Sequence, residues 1–305
     1  MIINPYENNR TRNRYSLQYF EVKIKALKNY FHGKTIWVTG ASSGIGESLV
    51  YALSHAGAKL IISARRTTEL ERVKAACAKP EHIDILPIDL SSSDSVNMAI
   101  QACFSRHARI DMLFNNGGIS QRAEALDTEI EVVRKMMEID FFSNIALSKA
   151  VAVHMKDHGG GHLVITSSLM GKWGFFLRSG YAAAKHALHG YYDSMRMEVE
   201  QYNIKITLLT PGFIASDISK HALNDRGIAS GEMDNNQASG MSTDKCAEAI
   251  LRGVATGKTE FGIGGKELLG PSCDAFCRIC LKKSCADNQR VSRDPLYERS
   301  AMLST

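Results

Sequence analysis

What this chain of 305 residues lacks narrows its function before any motif is read. It has no run of eighteen or more apolar residues, so no ordinary membrane-spanning helix is expected. Its first ten residues, MIINPYENNR, lack the apolar stretch that a secretory signal needs. Cysteines number seven, an odd count, and four of them crowd the last 35 residues. That distribution argues against a disulfide framework and makes the reducing cytoplasm the expected compartment. The charge excess is also small: +5 over the whole chain implies no nucleic-acid partner. What remains, 44% apolar and 23% charged residues, is ordinary globular composition with enough apolar material for a core.

From residue 34 onward the chain alternates between two kinds of segment. TIWVTG, AKLIISA, IDILPID, IDMLFNN, GHLVITSS, IKITLLTPG and TEFGIG are short apolar runs ending in turn-forming or small polar residues. Between them lie helical stretches such as GESLVYALSHAG, TTELERVKAACAK and SDSVNMAIQACFSRH. Strands alternating with helices imply a parallel sheet covered on both faces, with ligands held at the carboxyl ends of its strands. Three parts are expected: an N-terminal extension over 1–33, a catalytic α/β domain over 34–270 and a tail over 271–305.

The first strand runs into Gly40-Ala41-Ser42-Ser43-Gly44-Ile45-Gly46 and then a helix, the context in which glycines cradle a diphosphate. The second ends Ser63-Ala64-Arg65-Arg66, with no acid to accept ribose hydroxyls. Guanidinium groups there fit a 2′-phosphate, so NADP(H) is the expected cofactor, with Arg65 the stronger contact and Arg66 the weaker. Asp89, beside Leu90, ends the third run and is placed to accept from the adenine amino group. Asn115-Asn116-Gly117-Gly118 ends the fourth, where amides brace the strand end and glycines admit the adenine ribose.

The chemistry is expected where Thr166-Ser167-Ser168 ends the fifth strand and Tyr181 and Lys185 follow on one helix face, four residues apart. An isolated tyrosine titrates near 10, too high for an efficient base near neutrality. An ammonium roughly 4 Å away, at an effective dielectric of about 20, favours the phenolate by on the order of 4 kcal/mol. Ser168 is placed to donate to the substrate oxygen as charge develops. His186 and His189 on the same helix read as satisfied structural histidines.

Together these motifs resemble the short-chain dehydrogenase/reductase superfamily over about residues 34–265: TGASSGIG, NNGG for the family's NNAG, SS followed by YxxxK, and the Pro211-Gly212 pair. Finer similarity, in SARRTTELERVKAAC and RSGYAAAKHALHGYYDSMRMEVE, is to the subgroup called dehydrogenase/reductase member 7. The resemblance implies one Rossmann-like doubly wound domain with seven parallel strands, assembled as a homodimer or homotetramer. It implies that Lys185 also binds the nicotinamide ribose, and that Pro211, Gly212 and Ile214 line the nicotinamide. Substrates implied are lipophilic carbonyls or secondary alcohols such as steroids or retinoids. A 3-oxoacyl reductase and a non-catalytic NADP(H) sensor are the alternatives.

Three positions depart from the family pattern. Gly117 replaces its alanine, and Ser216 stands where a threonine commonly contacts the cofactor amide. Asp140 occupies the place of the fourth catalytic residue, an asparagine whose carbonyl in the family holds a water against the lysine. An ionised Asp140 near Lys185 would offset part of the ammonium's effect and make oxidation more alkaline.

Three segments remain. Leu17, Phe20, Ile24, Leu27 and Phe31 form a helical stripe among Lys23, Lys25 and Lys28. Over residues 15–31 it suits peripheral membrane contact, or packing on its own domain or a neighbouring subunit. Residues 216–243 are polar and suit a mobile substrate lid. Cys273, Cys277, Cys280 and Cys285 lack paired CxxC units, so a short helix is favoured over zinc, an iron–sulfur cluster or acylation, and no metal is expected.

Overall fold

The run TIWVT shows how the core is divided. It forms strand β1 (Thr35–Thr39), and alternate side chains leave on opposite faces. Ile36 and Val38 join one buried apolar cluster while Trp37 joins another, all three without solvent exposure. A strand apolar on both faces needs helices on both sides, and the chain supplies them.

A computed structural model describes residues 28–268. After β1 come α1 (Gly44–His55), β2 (Lys59–Ser63), α2 (Thr67–Ala75), β3 (Ile83–Ile85), α3 (Ser93–Arg106) and β4 (Met112–Asn115). Then α4 (Ile130–Met137) passes through a π-helical turn, Glu138–Phe142, into α5 (Ser143–Asp157). β5 (Gly161–Thr166), α6 (Ser179–Val199) and β6 (Ile204–Pro211) follow. Beyond them are β7 (Ile214–Ala215), a short α7 (Asn235–Ala238), β8 (Met241–Ser242), α8 (Thr243–Ala255) and β9 (Glu260–Ile263).

Seven strands make one sheet in the order β3-β2-β1-β4-β5-β6-β9, every pairing parallel. This is the doubly wound, Rossmann-like arrangement. Its order reverses between β1 and β4, so the cleft over their carboxyl ends is where a dinucleotide fits. β7 and β8 pair separately.

Two readings change. The run IDILPID yields a strand that stops at Ile85, and Pro87 follows it on the outer edge of the sheet, where its missing N–H takes no bond from the ladder. The chain still follows β2: Leu86 donates to the Ile62 carbonyl at 3.0 Å and Ile88 to that of Ala64 at 3.1 Å. Asp89 is thereby carried to the strand ends. Upstream, Phe31 is wholly buried against the core, and Gly33 donates to the Gly57 carbonyl at 2.9 Å. The packed core thus includes residues before 34, and this end of the stripe packs on its own domain. The rest of the stripe and the Cys273–Cys285 cluster lie outside the described residues. No described helix is long and apolar enough to cross a membrane.

Candidate active site

A cavity of about 1490 Å³ lies over the carboxyl ends of the strands and joins nearly every residue singled out above. At its nucleotide end, Gly40 (φ +65°) and Gly44 (φ +60°) adopt the left-handed conformation that glycine alone takes cheaply. A Cβ on Gly46 would be driven into the Gly40 carbonyl, so that glycine lets α1 meet the loop. Ser43 caps α1 without a side-chain bond, leaving the helix's first N–H groups directed at the cleft. Ser42, Ser43 and Ile45 line the same wall.

Arg65 and Arg66 are exposed and border the cavity, and Arg66 reaches the Ser42 hydroxyl at 3.3 Å. Arg72 is already committed, bonded to Glu47 and Glu69 at 2.8 Å each, and it holds the Glu47 carboxyl below its usual range. Asp89 accepts from the Ser91 N–H at 2.9 Å and its hydroxyl at 2.7 Å. Burial alone would raise the Asp89 carboxyl, but those bonds together with the charges of Arg65 and Lys135 outweigh it and the group stays low. Leu90, Asn116, Gly117 and Gly118 continue the lining. The Asn116 side chain donates to the Thr39 carbonyl at 3.3 Å, tying β4 to β1.

The sequence reading missed two supports here. Thr39 Oγ1 accepts from the N–H groups of Asn116 (3.1 Å) and Gly117 (3.0 Å), clamping the turn that carries both glycines. Asn115, read only as part of the strand end, donates to the Asn144 carbonyl at 3.2 Å and to Ser148 at 2.8 Å, anchoring α5.

At the other end, Ser168, Tyr181 and Lys185 converge, each less than 10% exposed. Ser168 Oγ accepts from the Met170 N–H at 3.1 Å, which leaves its own proton available to donate. The Lys185 ammonium stands 5.6 Å from the centre of the Tyr181 ring and donates to the Thr166 carbonyl at 3.2 Å. Asp140 is fully buried in the π-helical turn, 3.6 Å from the Lys185 nitrogen. Pro211, Gly212, Ile214 and Ser216 face this end.

His189 differs in part from its reading. Its Nε2 meets Ser167 Oγ at 3.0 Å, but its buried Nδ1 has no hydrogen-bond partner, with Glu260 3.9 Å away. Burial holds its pKa below that of an ordinary histidine. His186 is bonded within its helix, to the Ala182 carbonyl at 2.8 Å.

The segment 216–243 also differs from the polar lid expected of it. Leu223 donates to Ser120 and accepts from Arg122, both at 2.8 Å, and Ser219, Ala222 and Leu223 are buried. Arg178, which no motif marked, secures it further, donating to Asp234 at 3.3 Å and to the Gln121 carbonyl. A usable signal existed: a cation at the start of a helix opposes the helix dipole and needs a partner from elsewhere.

A fold that binds dinucleotides, with a serine, a tyrosine and a lysine at the cleft's far end, defines a nicotinamide-linked oxidoreductase. The family model for short chain dehydrogenase matches residues 34–227, and the chain belongs to that family. It is 40% identical to a dehydrogenase/reductase SDR family protein 7-like of Drosophila melanogaster, over 75% of this chain and 72% of that one. It is 38% identical to dehydrogenase/reductase SDR family member 7 of Homo sapiens, over 77% and 71%. Its similarity thus places it with the member 7 subgroup. Among solved structures, a short-chain dehydrogenase from Streptomyces avermitilis superposes with a TM-score of 0.69 at 26% identity, covering 86% of this chain and 98% of that one. One from Burkholderia phymatum, in complex with NAD, shares the fold with a TM-score of 0.68 at 19% identity, covering 76% and 89%.

Proposed function

We propose that this chain is an NADP(H)-dependent oxidoreductase acting on a lipophilic carbonyl or secondary alcohol, with Tyr181 as acid and base. The observation that carries the reading is one continuous cavity with the glycine loop and two exposed arginines at one end and Ser168, Tyr181 and Lys185 at the other.

The residues fit the cofactor. The cradle at Gly40 and Gly46 is one that a Cβ would fill, and Arg65 and Arg66 offer cations where a carboxylate would favour NAD. The chemistry that such a cofactor would supply there is hydride transfer. Tyr181 gives a proton to the substrate oxygen on reduction and takes one on oxidation. Lys185 stabilises negative charge on the phenol oxygen, and Ser168 donates to the substrate oxygen. Trp173, Phe175, Phe213 and Met170 line the substrate end, and Phe175 and Phe213 meet edge to face. A cavity larger than the usual upper size of about 1,000 Å³ leaves room for a bulky apolar substrate beside a dinucleotide.

The test follows nicotinamide absorbance with a panel of steroid, retinoid, 3-oxoacyl and small aliphatic carbonyls. Turnover with NADPH, preference for the ring-bearing substrates and loss of at least about 100-fold in Tyr181→Phe are expected. NADPH binding without turnover of any substrate would favour a sensor instead, and preference for 3-oxoacyl chains would favour an acyl reductase.

A further inference from the structure

The Asp140 carboxyl has an arrangement that the reading above leaves unused. Its Oδ1 accepts the Ile119 N–H at 2.8 Å. Its Oδ2 is buried and has no hydrogen-bond partner, yet lies 3.6 Å from the Lys185 nitrogen. A Cβ on Gly118 would come within 2.8 Å of Asp140 Oδ1 and 3.4 Å of that nitrogen, so a glycine makes room for both groups. The π-helical turn closes with the Ser143 N–H bonded to the Glu138 carbonyl, and it turns residue 140 inward.

We propose that Asp140 is a positioning residue that shares a proton with Lys185, so that the two act as one ionising unit. In the exchange a Lys185 Nζ–H bond breaks and an Asp140 Oδ2–H bond forms, so that the zero-charge form interconverts between an ammonium–carboxylate pair and a neutral amine–carboxyl pair. The unit's net charge is +1 at low pH and 0 once one proton has left. Tyr181 thus faces a net cation only below that ionisation. An asparagine at 140 has no carboxyl oxygen to take that proton.

The surroundings isolate the pair. Lys185, from α6, is the charged group acting on Asp140, and the neighbouring segment presents Gly118, Ile119 and Ser120, none ionisable. Tyr192, also on α6, bonds instead to Asn144 and Ser148. Burial pushes the Asp140 carboxyl up, with the ammonium and the Ile119 N–H pulling it back.

The inference rests on the oxidoreductase reading, so the experiment has one arm that needs no turnover. In the first arm, oxidation rates at saturating NADP+ are followed against pH for the wild type and Asp140→Asn. The alkaline midpoint is expected to fall by about one pH unit in the variant. Coincident profiles overturn the proposal. The second arm records infrared difference spectra of the NADP+-bound chain between about pH 6 and 9. A titrating carboxyl band is expected in the wild type, displaced to higher pH in Lys185→Met. A wild type without such a band, or a band indifferent to Lys185→Met, overturns the proposal even where Asp140→Asn does not fold. Absence of turnover on every substrate would sink the oxidoreductase reading and leave this arm standing.

Discussion

Gly40 faces Gly117 so closely that a Cβ on the first would sit 2.7 Å from the Cα of the second. The reverse is not true. A Cβ on Gly117 would meet Leu90 Cδ1 at 2.6 Å, the far end of a flexible side chain, and the Gly40 nitrogen at 3.3 Å. Gly40 also holds φ +65°, and so carries two constraints where Gly117 carries one.

The two glycines should therefore respond differently to alanine. Gly40→Ala is expected to cost about 2 kcal/mol or more and to remove NADPH binding, through strain and backbone collision. Gly117→Ala, which restores the family's residue, should stay folded and bind normally as Leu90 shifts. Thermal melts with and without NADPH read both, and a Gly117→Ala variant as damaged as Gly40→Ala would refute the asymmetry.

The exposed pair at the end of β2 governs cofactor choice in the proposed function. Removing both guanidinium groups, as Arg65→Ala with Arg66→Ala, should weaken NADPH binding by about 10- to 100-fold, the worth of one or two charge-assisted bonds. NADH binding should change little. Fluorescence titration with both nucleotides decides, and parallel losses would show that the arginines do not read the phosphate.

His162 makes folding sensitive to acid. It is buried on β5, with Nε2 2.9 Å from Thr207 Oγ1, and burial lowers its pKa to about 4. A folded pKa below the unfolded one means that the unfolded chain binds the proton more tightly. The contribution is present above the ordinary pKa of about 6.5 and is lost as pH falls toward 4. About 2 kcal/mol should disappear between roughly pH 7 and 5. Urea unfolding at both pH values should show this, and His162→Phe should flatten the slope. A variant as pH-sensitive as the wild type would remove His162 from the account.

The hydroxyl of Tyr192 is a junction for α5. It bonds to the Asn144 side chain and to Ser148 (2.6 Å), and Asn115 also donates to Ser148. Tyr192→Phe should cost about 1–3 kcal/mol, since it leaves buried polar partners unsatisfied. Calorimetry with an unchanged melting temperature would show that the network relaxes around the loss.

The local pattern alone determined the alternation of strands and helices, the glycine turn after β1, the acid-free end of β2 and the shared face of Tyr181 and Lys185. Each follows from steric preference or from helical and strand periodicity, properties of neighbours in the chain. Folding decided what distant segments do to one another. Phe31 joined the core, Leu223 paired with the stretch around residue 121, Arg178 met Asp234, and Asp140 came to rest 3.6 Å from Lys185. No local rule encodes these meetings, because their energy depends on burial, and burial exists only once the sheet and its helices have closed over the site.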